Sequence, residues 1–196
     1  MKELLERYPA LTTCQESIEK ALKLMIETYK NGGKILICGN GGSAADSGHI
    51  VGELMKGFKL MRKVTDERIS PDLREHLQGA LPAISLCSHD GLISAFANDV
   101  NPDMVYAQQV YGYAKPEDLV IGLSTSGNSA NVVNAIRVAN DMGVKTIGMT
   151  GIGGGKIDEI ATVTIKVPEK ETYKIQEYHL PVYHYLCAET EKTFFA

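Results

Sequence analysis

Three stretches of this chain carry side chains whose types and spacing could do chemistry. The first is Gly39-Asn40-Gly41-Gly42-Ser43. Glycines between a strand and a helix let backbone N–H groups converge on an anion, and the helix dipole adds to the attraction. The same residues would also make a tight strand-to-helix turn that binds nothing. The second is Ser124-Thr125-Ser126-Gly127-Asn128-Ser129. One hydroxyl at a helix start is a cap. Four hydroxyls in six residues exceed what capping needs and suit a phosphate monoester. The third is His49 and Glu53. Residues four apart share a helix face, so imidazole and carboxylate lie together one turn apart. Such a pair can bind a metal, exchange protons, or be an ordinary surface pair.

A fourth cluster, Gln176, Glu177, His179 and His184, falls near the end of the chain. His179 and His184 are five apart and do not share a face. Pro181 lies between them and is expected to kink the helix. Other motifs fail. GIGGGK (151–156) lacks the Walker spacing and is expected to be a flexible connection. No GxSxG nucleophile elbow is present. Gly39-x-Gly41-x-x-Ala44 fits a relaxed dinucleotide fingerprint, but no second strand with an acidic end follows it. That disfavours a nucleotide-dependent oxidoreductase.

The elements that must position these residues are legible from periodicity. Residues 16–30 repeat apolar positions as a helix does, and Asn31-Gly32-Gly33 stops it. Short apolar runs at 34–38, 82–87, 118–123, 145–150 and 162–167 predict strands. Helical stretches separate them, to about Gly57, up to Tyr113, after Ser129, and from Tyr173 to Phe195. Strands alternating with helices predict an α/β fold with a five-stranded parallel sheet sandwiched by helices. Right-handed crossovers place every strand's C-terminal end on one edge, where ligands of such sheets bind. The loops at 39–43, 88–99, 124–129 and 150–156 meet there. Residues 59–79 are charged and strandless, an insertion expected to be helical or mobile.

With 196 residues and 21.3 kDa the chain suits one domain, read as 1–196 with an N-terminal helical segment at 1–33. The apolar fraction of 44% argues against disorder, and the net charge of −4 against a globally basic nucleic-acid binder. No apolar run approaches a membrane span and the stretch MKELLERYPALTT has no apolar h-region, so a cytoplasmic protein with no membrane partner is expected. Cys14, Cys38, Cys87 and Cys187 form no CxxC pair, and Cys38 and Cys87 read as reduced core residues.

Taken together, CGNGGSAAD, STSGNSANV and the His49/Glu53 pair resemble the sugar isomerase (SIS) domain family, nearest its branch acting on heptose phosphates. The resemblance spans nearly the whole chain apart from 59–79. It implies a flavodoxin-like SIS fold and an aldose–ketose isomerase. The implied reaction converts sedoheptulose 7-phosphate to glycero-manno-heptose 7-phosphate through an enediol. It places the sugar phosphate on Ser124, Thr125, Ser126 and Ser129. The rest of the substrate falls to Asn40, Gly41, Gly42, Ser43, Asn98, Asp99, Glu53 and Gln176. Glu53 and His184 become the base and the acid. His49, Glu53, Gln176 and His184 become ligands for one zinc ion. It further implies a homotetramer with sites between subunits, and the N-terminal helix is expected to serve assembly. Gln176 and His184 stand about 12 Å apart along a straight helix and roughly 80° round it. They share a metal only if side chains converge, the Pro181 kink helps, or a second subunit contributes. The alternative from another class is a non-catalytic phosphosugar-binding or replication-initiator-associating SIS protein. The presence of Glu53 and His184 favours the enzyme.

Overall fold

In the computed structural model, which describes residues 1–196, the five apolar runs become five strands. They are β1 (Ile35–Cys38), β2 (Ala83–Ser85), β3 (Leu119–Leu123), β4 (Lys145–Gly151) and β5 (Val163–Val167). The spatial order is β2-β1-β3-β4-β5, and every pairing is parallel. The register sets Ile35 between Ala83 and Leu119. β1 and β3 are buried along their whole length, as central strands covered on both faces must be. Strand order reverses at β1, so the crevice between the ends of β1 and β3 is the topological switch point. The glycine loop leaves β1 and the serine loop leaves β3.

Side-chain alternation divides the core in two. On one face Ile35, Ile37 and Ile121 meet Ile18 and Met25 of α2 (Gln15–Lys30), Leu54 of α3 (Gly42–Met55), and Tyr183 and Leu186 of α9 (Thr172–Phe195). Leu4 of the preceding short helix α1 (Lys2–Arg7) joins this cluster. On the other face Leu36, Cys38 and Val120 meet α6 (Val105–Tyr113), α7 (Ala130–Asp141) and α8 (Gly155–Ile160). The short α4 (Pro71–Arg74) and α5 (Asp90–Asp99) complete the chain.

Several expectations need correction. The N-terminal segment packs as a layer of the domain, with Leu11, Ile18, Ala21 and Met25 buried in the main core. The helical region running to Tyr113 is broken at 100–104. Pro102 disfavours helix in the residue before it, and the Asn101 side chain accepts the Asp103 N–H to start a new turn. β2 is short because Leu86–Ser88 winds into a 3-10 turn.

The connection at 151–156 is braced rather than flexible. Gly151 N donates to Thr125 O at 3.0 Å, and Ile157 N to Gly127 O at 3.1 Å. Gly127 has φ +67°, and a Cβ there would overlap the Gly154 carbonyl oxygen. Only glycine fits. α9 runs uninterrupted through buried Pro181, because packing of its apolar face outweighs one lost hydrogen bond. The insertion forms only α4 and an antiparallel bridge between Lys63 and Gln78.

His179, on α9, is fully buried, and its Nε2 lies 3.4 Å from the Thr150 carbonyl oxygen at the end of β4. Burial, partly opposed by that carbonyl, pushes its pKa down to about 4. The unfolded chain therefore binds the extra proton first, and stability falls as pH drops from 6.5 toward 4. The loss expected from this one group is on the order of 3 kcal/mol. Urea midpoints measured across that range should fall steadily, and the slope should flatten in His179→Gln. An unchanged slope in the variant would remove His179 as the cause.

Candidate active site

Asn40 binds the serine-loop side of the crevice through a reciprocal amide pair. Its Nδ2 donates to Asn131 Oδ1, and Asn131 Nδ2 donates back, both at 2.9 Å. Gly41 has φ +55°, the conformation that lets the chain turn from β1 into α3. The Gly39 carbonyl is held by the Tyr106 hydroxyl at 2.7 Å and the Cys87 thiol at 3.3 Å. Buried Ser43 opens α3, and the Gln176 amide crosses from α9 to donate to its Oγ at 3.4 Å. A side chain at Gly42 would collide with that amide.

The serine loop is held by its own hydroxyls. Ser124 Oγ and Ser129 Oγ lie 2.9 Å apart, and Asn128 N donates to Ser126 Oγ at 3.1 Å. Ser129 precedes α7 without capping it through its side chain. The first-turn amides of a helix have no partners within the helix. Hydroxyls and N–H groups at this end of α7 thus face the same small volume, a neutral cradle fit for an anion. Asn98 and Asp99 lie exposed at the C-terminal end of α5. They hydrogen-bond to each other at 2.8 Å and to neither loop.

On α3 the predicted pair is real. His49 Nε2 lies 3.1 Å from Glu53 Oε1. His184 of α9 completes the group, its Nε2 3.4 Å from His49 Nε2. One ligand atom from each of the three lies within 4.8 Å of the others. Glu53 Oε2 is buried without a hydrogen-bond partner, its nearest cation being Lys56 at 3.6 Å. Burial, then the neighbouring His49, lower the pKa of His184, which keeps it neutral. Gln176, the fourth expected ligand, gives its one hydrogen bond to Ser43 rather than to these three.

The end of α3 is held by a buried ion pair. Arg62 and Glu191 are both fully buried and meet at 2.8 Å. Arg62 donates to the carbonyls of Leu54 at 2.5 Å and Glu53 at 2.9 Å. A cation at a helix C-terminus meets the negative end of the dipole. Glu191 accepts the Phe58 N–H at 2.7 Å and the Lys59 N–H at 2.8 Å. Burial raises the pKa of its carboxyl, but these N–H groups and Arg62 outweigh it and hold the group below the usual range.

Residues 1–151 match the SIS domain family model. The chain is 44% identical over 177 residues to a phosphoheptose isomerase of Aliarcobacter butzleri, covering 90% of this chain and 85% of that one. The chain belongs to the SIS domain family, with the phosphoheptose isomerases. A phosphoheptose isomerase of Helicobacter pylori strain P12 is 40% identical, covering 98% and 91%. The solved structure of phosphoheptose isomerase GmhA from Neisseria gonorrhoeae superposes with a TM-score of 0.80. It has 32% identity and covers 97% of this chain and 94% of that one.

The residues by themselves point to both loops and to the His49–Glu53 pair, and His184 joins that pair only through the family resemblance. The sequence reading missed four residues that hold them. Asp46 sits three positions before His49 on the same helix face, a spacing that could have flagged it. Tyr183 adjoins His184. Arg62 and Glu191 carry no local signal: one lies in a charged run and the other on a charged helix end, where solvent exposure is the ordinary expectation.

Removing one partner of a buried pair strands the other charge. Arg62→Met or Glu191→Gln is expected to destabilise the fold by about 3–5 kcal/mol. The double variant should cost clearly less than the sum. A double-mutant cycle in urea measures this, and additive losses would show that the pair is uncoupled.

Proposed function

We propose that this chain is an aldose–ketose isomerase of a phosphorylated sugar, converting sedoheptulose 7-phosphate to glycero-manno-heptose 7-phosphate. The observation that carries the reading is the convergence of His184 of α9 on His49 and Glu53, which stand on the helix that leaves the glycine loop. Family membership supplies the substrate class. The serine loop, through Ser124, Thr125, Ser126 and Ser129, holds the phosphate. Asn40, Gly41, Gly42, Ser43 and Gln176 line the sugar, with Asn98 and Asp99 completing the site. One SIS domain spans 1–196, and a cytoplasmic setting suits a chain none of whose helices could cross a membrane.

The chemistry follows from the group. A ketose becomes an aldose when a proton leaves C1, an enediol forms, and a proton arrives at C2. Glu53 takes the C1 proton: its carboxylate has an oxygen with no hydrogen-bond partner. His184, a neutral imidazole, donates an N–H to the C2 oxygen as charge builds there and takes up the C1 hydroxyl proton as the aldehyde forms, while Glu53 returns its proton to C2. Phosphate held away from the reacting carbons supplies orientation.

The same three residues fit a divalent ion. Bonds of 2.0–2.1 Å to a tetrahedral zinc put neighbouring ligand atoms roughly 3.3 Å apart. The spacings of 3.1 and 3.4 Å match, and nitrogen with oxygen ligands suits zinc better than magnesium or calcium. We therefore assign His49, Glu53 and His184 as zinc ligands, with Gln176 as the fourth. When bound, zinc supplies Lewis-acid stabilisation of the developing oxyanion.

The purified protein should convert sedoheptulose 7-phosphate in preference to shorter ketose phosphates, measured with and without added zinc. Glu53→Gln keeps the shape but cannot accept the proton. Its turnover should fall at least ~10²-fold with the fold intact by circular dichroism. Turnover within a few-fold of the parent would sink the assigned base.

Assembly into a homotetramer fits where apolar surface remains. No residue of α5 is buried, and Leu92, Val100, Tyr111 and Tyr113 of the α5–α6 region are exposed. Exposed apolar side chains of this kind are what an interface between subunits would cover. Sedimentation velocity should show a tetramer at assay concentration; an active monomer would refute it.

A further inference from the structure

The two ring nitrogens of His49 face different company. Nε2 faces Glu53 and His184. Nδ1 lies 3.0 Å from the hydroxyl oxygen of Tyr183, and that oxygen lies 3.2 Å from Asp46 Oδ1. Tyr183 is 2% exposed, and its ring stands edge-on to the imidazole with centroids 5.4 Å apart. The three side chains thus form a line, Asp46 to Tyr183 to His49, running into the site from behind.

Counting hydrogens along this line decides its direction. A phenol has one hydrogen, and an ionised carboxylate has none to give. The Tyr183 hydrogen therefore goes to Asp46, and the Tyr183 oxygen must accept from His49. A neutral imidazole that donates through Nδ1 carries a bare lone pair on Nε2. We propose that Asp46 and Tyr183 are positioning residues that fix His49 as its Nδ1–H tautomer, turning the Nε2 lone pair toward Glu53 and His184. The proposal gives a role in the reaction to two residues outside the set that meets substrate, and for that role it rests on the reading of Glu53 as the base.

The tautomer matters because of what stands 3.1 Å from Nε2. In the other tautomer an N–H on Nε2 would donate to Glu53 Oε1. That bond would satisfy the carboxylate, weaken it as a base and remove a nitrogen donor for a cation. With the hydrogen held on Nδ1, Glu53 and His49 present two acceptors side by side. Between them they call for a positive group, whether a substrate proton or a divalent ion. The N–H of His184 can serve one acceptor, not both. Groups behind a ligating or catalytic histidine set its orientation in this way. Without the Tyr183 hydroxyl nothing holds the hydrogen on Nδ1, and the Glu53 carboxylate draws it to Nε2.

Long-range 1H–15N spectra of the chelator-treated protein at neutral pH read the tautomer directly, with the His49→Gln spectrum identifying the His49 signals. The parent should carry the hydrogen on Nδ1, and Tyr183→Phe should move it to Nε2. If the phenylalanine variant fails to fold, Asp46→Ala serves. It frees the Tyr183 hydroxyl to donate to Nδ1 and should give the same change. A parent spectrum with the hydrogen on Nε2, or a folded variant with an unchanged tautomer, overturns the proposal. Kinetics supply the second readout. Tyr183→Phe should lower kcat 10- to 100-fold while KM for sedoheptulose 7-phosphate stays within about twofold. An unchanged kcat alongside a changed tautomer overturns the positioning role. A parent that turns over no heptose phosphate defeats the functional reading instead, and leaves the tautomer result standing.

Discussion

The contact between Arg62 and Glu191 ties together parts of the chain that local sequence leaves unconnected. Arg62 belongs to the insertion, Glu191 to the last turns of α9, and both hold backbone groups around the end of α3. A buried charge is costly unless paired and hydrogen-bonded. Here nearly every polar atom of the pair has a partner, and those partners are the chain ends that must be fixed. The Glu53 carbonyl is one of them, so the same guanidinium that caps α3 sets where the Glu53 side chain begins. The phenyl ring of Phe195 covers the guanidinium, with 4.9 Å from Cζ to the ring centroid.

A second set of constraints operates at the switch point. The glycine and serine loops leave neighbouring parallel strands, so their backbones end side by side without further design. The Asn40–Asn131 amide pair then fixes one loop against the other. The close approach of Gly127 to Gly154 fixes the serine loop from beneath. A phosphate cradle built from neutral groups depends on such bracing, since it has no long charged side chain to reach for a misplaced anion. The braced half of the site is thus the serine-loop end. The end that carries His49, Glu53 and His184 is assembled from two helices packed on one another.

What could be read from the residues divides along physical lines. The five strands, their parallel class, the loop placement and the His49–Glu53 pair follow from periodicity and short-range spacing, which the local sequence encodes; the spatial order of the strands does not. Arg62 shows what it does not encode. In a run of charges such as KLMRKVTDER, nothing marks the one arginine that is buried, because burial depends on a glutamate 129 residues away. Pro181 shows the same limit from the other side. Its local rule predicts a break in the helical hydrogen bonds, while the tertiary packing of Ile175, Val182 and Leu186 keeps α9 helical on both sides of it. The break at Pro102 obeyed the same kind of rule, where no comparable core opposed it. The N-terminal helix was legible as a helix, but its place as a covering layer of the sheet was not.

The placement of α9 has a consequence in time. Asp46 and His49 wait for Tyr183 across 137 and 134 positions, and Arg62 for Glu191 across 129. Contacts so far apart in sequence close late in folding, because loop entropy must be met before they return anything. During synthesis the anion loops of β1 and β3 are made well before α9 emerges. In a nascent chain both loops are therefore present while His49 and Glu53 still lack His184. Only docking of the last helix brings the three side chains together.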